Sequence, residues 1–165
     1  FGPPLQLGLE SECEFVDLFL TRKLCPQKLA NSLSSHLPDG FEIKSANNVA
    51  LRTRSLQESI AANRYEARLD HTVTDTSLLD SEVQRKICSW REETVQRKKG
   101  RKEVQIQLAE CLNNVEMRGD IIDFEVLCPT QDRRSVKPLE ALAALSGLEG
   151  EAFHVRKVSC ELCGR

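Results

Sequence analysis

Residues 1–20, FGPPLQLGLESECEFVDLFL, decide the fold class of this 165-residue chain. A stretch punctuated by Gly and Pro leads into residues 13–20, whose composition is typical of a buried strand. A strand needs a partner for at least one row of its backbone N–H and C=O groups. We therefore expect residues 13–20 to pair within a sheet and the chain to begin inside a folded unit. If no strand of the same chain pairs with one side of residues 13–20, we expect the chain to self-associate into a homo-oligomer through that open strand edge.

A helix and a second strand are predicted directly after this segment. Pro26 suits the first helical turn, and leucines recur every four residues behind it, at Leu29, Leu33 and Leu37. Pro38-Asp39-Gly40 ends the helix, and the alternation of residues 41–45 predicts a strand. Residues 1–46 thus have the strand–helix–strand order of the second half of a ferredoxin-like unit.

The sequence pattern of the rest of the chain predicts one complete ferredoxin-like unit. Residues 47–63 are a connector whose short helix opens on a capping box, Ser55 with Glu58. Residues 64–159 predict the order β-α-β-β-α-β, with a hairpin over 93–108, a strand over 121–127 and residues 109–114 open between helix and loop. The expected fold is α+β, with one complete and one partial ferredoxin-like split β-α-β unit and helices on one face of antiparallel sheets. Residues 160–165 form a tail.

The composition excludes several classes of protein. Charged residues make up 29% of the chain and the net charge is −2, so overall charge does not indicate nucleic-acid binding. No stretch approaches the roughly 18 apolar residues of a membrane span. The seven cysteines are odd in number and spread along the chain, which argues against a disulfide framework. We expect a cytoplasmic protein that does not associate with a membrane.

Cys160 and Cys163 form the sharpest chemical motif, a CxxC near the end of the chain. The two-residue spacer lets both thiolates reach one tetrahedral zinc ion, but a structural zinc site takes four ligands and no second pair of this kind occurs. Three interpretations stay open: a zinc site, a redox pair and an ordinary tail. No other cofactor is expected in this chain.

The tip of the predicted hairpin is the best nucleic-acid candidate. Five basic residues surround Gly100: Arg97, Lys98, Lys99, Arg101 and Lys102. Such a tip could contact RNA phosphates in a salt-dependent way. No aromatic residues are interleaved for base stacking, and the alternative is a solvated hairpin that its lysines protect from edge pairing.

Several motifs resemble a bacterial family of unknown function, the radical-SAM-linked domain. The matching pieces are Phe1-Gly2-Pro3-Pro4-Leu5, Leu7-Gly8, Glu10-Ser11, Glu14-Phe15-Val16-Asp17, Leu37-Pro38-Asp39-Gly40, Tyr65-Glu66 and Val136-Lys137-Pro138-Leu139-Glu140-Ala141-Leu142. The family usually has Arg where Lys137 stands. Members carry some 50 to 60 further residues before the Phe-Gly point, so the resemblance implies that the N-terminal part of the domain is missing and that this chain is a fragment or a truncated or fused gene product.

The resemblance also implies a function without catalytic residues of its own. Members of the family are fused to, or encoded beside, cobalamin-binding radical SAM proteins, so the implied partner enzyme uses SAM, an iron–sulfur cluster and cobalamin. The expected role is an accessory or substrate-presenting domain. Two alternatives stay open: an RNA-binding or RNA-processing module that uses the basic hairpin, and a small enzyme whose residues lie partly in the missing segment.

Overall fold

The computed structural model describes residues 2–70, 72, 79–99, 102–128 and 135–163. Its helices are α1 (Pro26–Ser34), α2 (Leu56–Ser59), α3 (Leu79–Cys88), α4 (Leu108–Cys111) and α5 (Pro138–Ser146). Its strands are β1 (Glu10–Ser11), β2 (Ile60–Leu69), β3 (Thr94–Lys99), β4 (Lys102–Gln107), β5 (Leu112–Arg118), β6 (Ile121–Leu127) and β7 (Phe153–Leu162). None of the described helices has the length and apolar character needed to cross a membrane. The predicted α+β class is confirmed.

Five strands form one sheet in the order β1-β7-β2-β6-β5, and β3 and β4 form a separate hairpin. All neighbours in the large sheet are antiparallel except β1, which pairs parallel to β7. If β1 and the β3–β4 hairpin are set aside, the strands of the large sheet and the helices α3 and α5 follow one another along the chain as β2, α3, β5, β6, α5 and β7. This order is compatible with the ferredoxin-like assignment, which stays a prediction, as do the unit boundaries at residues 46, 63 and 159.

The core lies on one face of the large sheet. Alternate residues of β2 (Tyr65, Ala67 and Leu69) are buried there, as the period of two in a strand requires. They pack in one cluster with residues of the neighbouring strands and of helices α3 and α5: Ile122, Phe124, Val126, Phe153, Val155, Val83, Ile87, Leu142 and Leu145. The rings of Tyr65 and Phe124, which are opposite each other on β2 and β6, stack with centroids 5.6 Å apart.

Local sequence signals set the ends of the helices. The Ser55 hydroxyl accepts from the Glu58 N–H and the Glu58 carboxylate accepts from the Ser55 N–H, so the predicted capping box is confirmed. In α5, the Glu140 carboxylate accepts from the Lys137 N–H at 3.0 Å. The helix ends at Gly147, whose φ of +77° a residue with a Cβ rarely adopts.

Two predicted strands in the first 46 residues are wrong. Residues 13–20 and 41–45 form no strand, and among described residues 2–46 the only strand is the two-residue β1. The helix that opens at Pro26 is confirmed, but it ends at Ser34, and Leu33 and Leu37 of its predicted inward stripe are exposed. The Phe15 carbonyl accepts one backbone hydrogen bond, from the Gly2 N–H, but no described strand pairs with residues 13–20 or 41–45 to complete a ladder of backbone hydrogen bonds.

The second half differs from the prediction in smaller ways. Residues 109–114, left open between helix and loop, divide into α4 and the start of β5, a strand that the sequence did not reveal. β5 is irregular between Asn113 and Glu116, where Asn114 has a φ of +50°. β7 extends to Leu162, so it includes the first cysteine of the CxxC motif.

Phe124→Ala is expected to destabilise the fold by about 3–5 kcal/mol, because it removes a fully buried ring from the centre of the core. The measurement is the free energy of unfolding in urea. Phe19→Ala is the matched control: the Phe19 side chain is 84% exposed, so the same change should cost less than about 0.5 kcal/mol. Equal losses in the two variants would contradict the described core.

Candidate functional site

The predicted hairpin is confirmed, and its register shows which residue lies opposite each basic residue on the other strand. Lys99 is paired with Lys102, Lys98 with Glu103 and Arg97 with Val104. Arg97 forms an ion pair with Glu140 in the first turn of α5. This contact ties the hairpin to the helix.

The Arg97–Glu140 pair is electrostatically favourable in spite of its partial burial. Burial raises the pKa of Glu140, but hydrogen bonds from Arg97 and from the Lys137 N–H outweigh it, and the net pKa is lowered. Glu140 therefore stays ionised in the folded protein at neutral pH.

Lys98 faces solvent, with 83% of its side chain exposed. Its Nζ is 4.0 Å from the Glu103 carboxylate across the hairpin, which offsets part of its charge. Arg101 and the side chains of Lys99 and Lys102 lie outside the described residues, and so do Arg133 and Arg134, the basic residues ahead of α5. In the described part of the hairpin, Lys98 is the basic side chain that is presented to solvent.

A second group of polar side chains lies at the end of the core face next to residues 13–15. Lys157 of β7 is only 3% exposed, and its Nζ donates to the Glu14 carboxylate at 3.0 Å. Asn63 of β2 is also buried; its Nδ2 lies 3.2 Å from the Cys128 Sγ, and its Oδ1 has no partner among the described residues. We call Lys157, Glu14, Asn63, Cys128, Cys160 and Cys13 the polar cluster.

The three thiols of the polar cluster are poor nucleophiles. Burial raises the pKa of Cys13, of Cys128 and of Cys160, the last to about 11, and the positive charge of Lys157 offsets this only in part. Each thiol is therefore protonated at neutral pH, whereas thiolates are the reactive form. The pKa of the neighbouring Tyr65 is also raised by burial, so its hydroxyl keeps its proton.

The two cysteines of the CxxC motif differ in burial. Cys160 is half-buried within β7, while Cys163 is exposed just beyond the strand, where its N–H donates to the Ser59 carbonyl. No three His, Cys, Asp or Glu side chains among the described residues gather to hold a metal ion. The zinc and redox interpretations stay predictions.

The opposite face of the sheet carries charged side chains that pair with one another. Arg156 contacts both Glu12 and Glu66, and Arg64 pairs with Asp123. A shallow cavity of about 280 Å³ opens among them, lined by Glu10, Glu66, Arg68, Ile121, His154 and Arg156. Because most of these charges already have partners and the cavity is open to water, the arrangement is typical of a solvated sheet face.

Exposed apolar side chains are concentrated in the region that was expected to form the partial unit. Five of them occur in residues 16–24, which we call the apolar segment: Val16, Leu18, Phe19, Leu20 and Leu24. Further exposed apolar residues follow at Leu33, Leu37, Phe41, Val49 and Leu51. Exposed apolar side chains mark an interaction surface where they form one contiguous patch.

The polar cluster was not predicted from the sequence, although one signal for it was present. Lys157 follows Phe153 and Val155 at the inward positions of β7, where a lysine is buried only if its charge is paired. Its partner, Glu14, is more than 140 residues away in the chain. No pattern within either segment indicates that pairing.

Glu14→Gln is expected to lower the free energy of unfolding by about 1–2 kcal/mol, because it leaves the buried Lys157 ammonium without a counter-charge. Lys157→Met removes the buried charge and keeps the length of the side chain, so it should cost less. Urea denaturation of the two variants beside the unchanged protein gives both values. A larger loss for Lys157→Met would show that the pair is net stabilising, contrary to this expectation.

One family model matches the chain, over residues 1–138, and its description is "Uncharacterized protein conserved in bacteria (DUF2344)". No curated protein matches the chain, and no solved structure does. The match includes the apolar segment, β2, the hairpin and β6, and it ends at the first residue of α5. Since it spans well over half of the sequence, the chain belongs to this family of proteins conserved in bacteria.

Proposed function

We propose that this chain is a non-catalytic accessory domain that binds a radical SAM protein. The observation that carries the proposal is the apolar segment, residues 16–24, in which five apolar side chains are exposed. The identity of the partner comes from the resemblance described above. The segment supports a binding role without naming the partner.

The apolar segment has the character of a protein-binding surface. Phe19 is exposed over most of its side chain and lies between Leu18 and Leu20. Aromatic side chains supply much of the binding energy at protein interfaces, since they bury a large area at a low cost in conformational entropy. Exposed bulky side chains of this kind gain free energy when a partner covers them.

Support for a non-catalytic role comes from the two polar regions. The thiols of the polar cluster are held in the protonated form, and Lys157 is paired with Glu14. The charges around the open cavity are engaged mainly with each other. Neither region combines an activated nucleophile with a general base in a closed site.

The direct test is binding to a cobalamin-binding radical SAM protein, the partner that the resemblance implies. The two purified proteins should co-elute in size-exclusion chromatography, and calorimetry should give a dissociation constant of about 10 µM or tighter. Phe19→Ser should weaken binding about tenfold or more, because it removes the central aromatic contact.

Leu51→Ser is the matched control, since Leu51 is 89% exposed but lies outside the apolar segment. It should bind like the unchanged protein. Absence of a complex at concentrations of about 50 µM would reject the accessory role. Equal binding by Phe19→Ser and Leu51→Ser would keep the partner but reject the apolar segment as its docking surface.

RNA binding by the hairpin is a second candidate, and one observation favours it. The hairpin is formed, and Lys98 extends from it into solvent. Arg97 is not available for this role because of its ion pair with Glu140. We therefore propose Lys98, Lys99, Arg101 and Lys102, without Arg97, as the RNA-contacting residues of this second candidate.

On this second proposal, affinity for single-stranded RNA falls steeply with salt, by a slope of about −0.7 in log units for each phosphate contact. Replacing Lys98, Lys99 and Arg101 together by Ala should abolish most of the binding in a fluorescence anisotropy titration. Replacing Arg22, Lys23 and Lys28, which are all exposed, removes the same number of positive charges elsewhere and is the control. Equal losses in the two triple variants, or no binding at low salt, would rule out the hairpin as an RNA site.

A further inference from the structure

Residues 41–45, Phe-Glu-Ile-Lys-Ser, lie between α1 and α2 and form neither helix nor strand. Their sequence nevertheless alternates between apolar and polar side chains. Within the described part of the chain, no hydrogen bond joins the backbone of residues 42–45 to another described residue. A segment with strand-like alternation and unused backbone groups is a template for pairing with another strand.

We propose that two copies of this chain associate through residues 41–45, which pair antiparallel about a two-fold axis at Ile43. In a two-fold interface, the same segment of both chains meets itself. An antiparallel pairing centred on Ile43 places Phe41 opposite Ser45 of the second copy and Glu42 opposite its Lys44. Each copy therefore supplies one carboxylate and one ammonium to the same small interface.

The charges of the segment fit this register. Glu42 and Lys44 are both exposed, and neither has an ion-pair partner among the described residues. Lys44 lies close enough to Cys13 for its positive charge to act on that thiol, but it makes no contact that would hold it there. Pairing about Ile43 creates two symmetric Glu–Lys pairs, and opposite charges directly across two strands stabilise the pairing.

Apolar contacts reinforce the same arrangement. Phe41 is 69% exposed and Ile43 is half-buried, and residues two apart in a strand share a face. The two Ile43 side chains would meet at the axis, with a Phe41 on each side of them. Because five paired residues bury less area than a typical stable interface, the expected dimer is weak, with a dissociation constant on the order of 10–100 µM.

Residues 13–20, the segment that the sequence analysis expected to mediate self-association, are less suited to it. Their charged residues, Glu14 and Asp17, are both acidic, so no register of self-pairing brings opposite charges together. Glu14 is also engaged with Lys157. Charge complementarity therefore selects residues 41–45.

The test is the molar mass of the chain in solution, measured by sedimentation from about 5 to about 200 µM. The unchanged protein should shift from monomer towards dimer across this range. In Lys44→Glu, the carboxylates at positions 42 and 44 of one copy face those at positions 44 and 42 of the second copy. This repulsion should raise the dissociation constant of the dimer about tenfold or more. Lys28→Glu makes the same change of net charge at an exposed site on α1 and should dimerise like the unchanged protein.

Mixing two variants isolates the proposed register. Glu42→Lys should also fail to dimerise alone, because two ammonium groups then face two others. An equimolar mixture of Lys44→Glu and Glu42→Lys restores both opposite-charge pairs, so native mass spectrometry should detect the mixed dimer. A monomer at all concentrations, equal behaviour of Lys44→Glu and Lys28→Glu, or absence of the mixed dimer would each overturn the proposal.

The proposal is independent of the radical SAM partner. Phe19→Ser changes the apolar segment and leaves residues 41–45 intact, so it should keep the dimer. Loss of the dimer in Phe19→Ser but not in Lys44→Glu would assign self-association to the apolar segment and overturn the proposed register.

Discussion

The position of β2 between β7 and β6 is the constraint on which the rest of the structure depends. β2 is bonded antiparallel to both neighbours, and every second side chain from Tyr65 to Leu69 is directed into the core. Those side chains must be covered, and α3 and α5 cover them. The hairpin is then held against α5 by Arg97 and Glu140, so even this inserted element depends on the sheet through the helix behind it.

Much of this half of the fold could be predicted from the sequence, because its signals are local. Alternation in β6, the hairpin pattern around residue 100 and the Pro and Gly that bound α5 each lie within one element. β5 was not predicted because Leu112–Arg118 has polar residues at most positions. It lies at the edge of the sheet and pairs with β6 alone. Its irregular region also removes the regular alternation on which such a prediction relies.

The first 46 residues show the limit of local patterns. Residues 13–20 and 41–45 have strand-like sequences, yet strand formation is a property of two segments and not of one. Burial of Lys157 illustrates the same limit in the core: its position in β7 is visible in the sequence, but its counter-ion comes from the far end of the chain. The sequence pattern predicted the two strands and the turn of the basic hairpin. The ion pair between Arg97 and Glu140 depends on tertiary packing, which the pattern does not reveal.

The two edges of the large sheet also bear on how this protein behaves at high concentration. One edge is β1, which is only two residues long, and the other is β5, which bends away from regular pairing near Asn114. Fibril growth needs a long, flat strand that can recruit the next chain. β1 and β5 are not strands of this kind, although β1 covers only Arg156 and Lys157 of the ten-residue β7. At their own positions, the short β1 and the irregular β5 therefore limit the pairing of a second chain with the sheet.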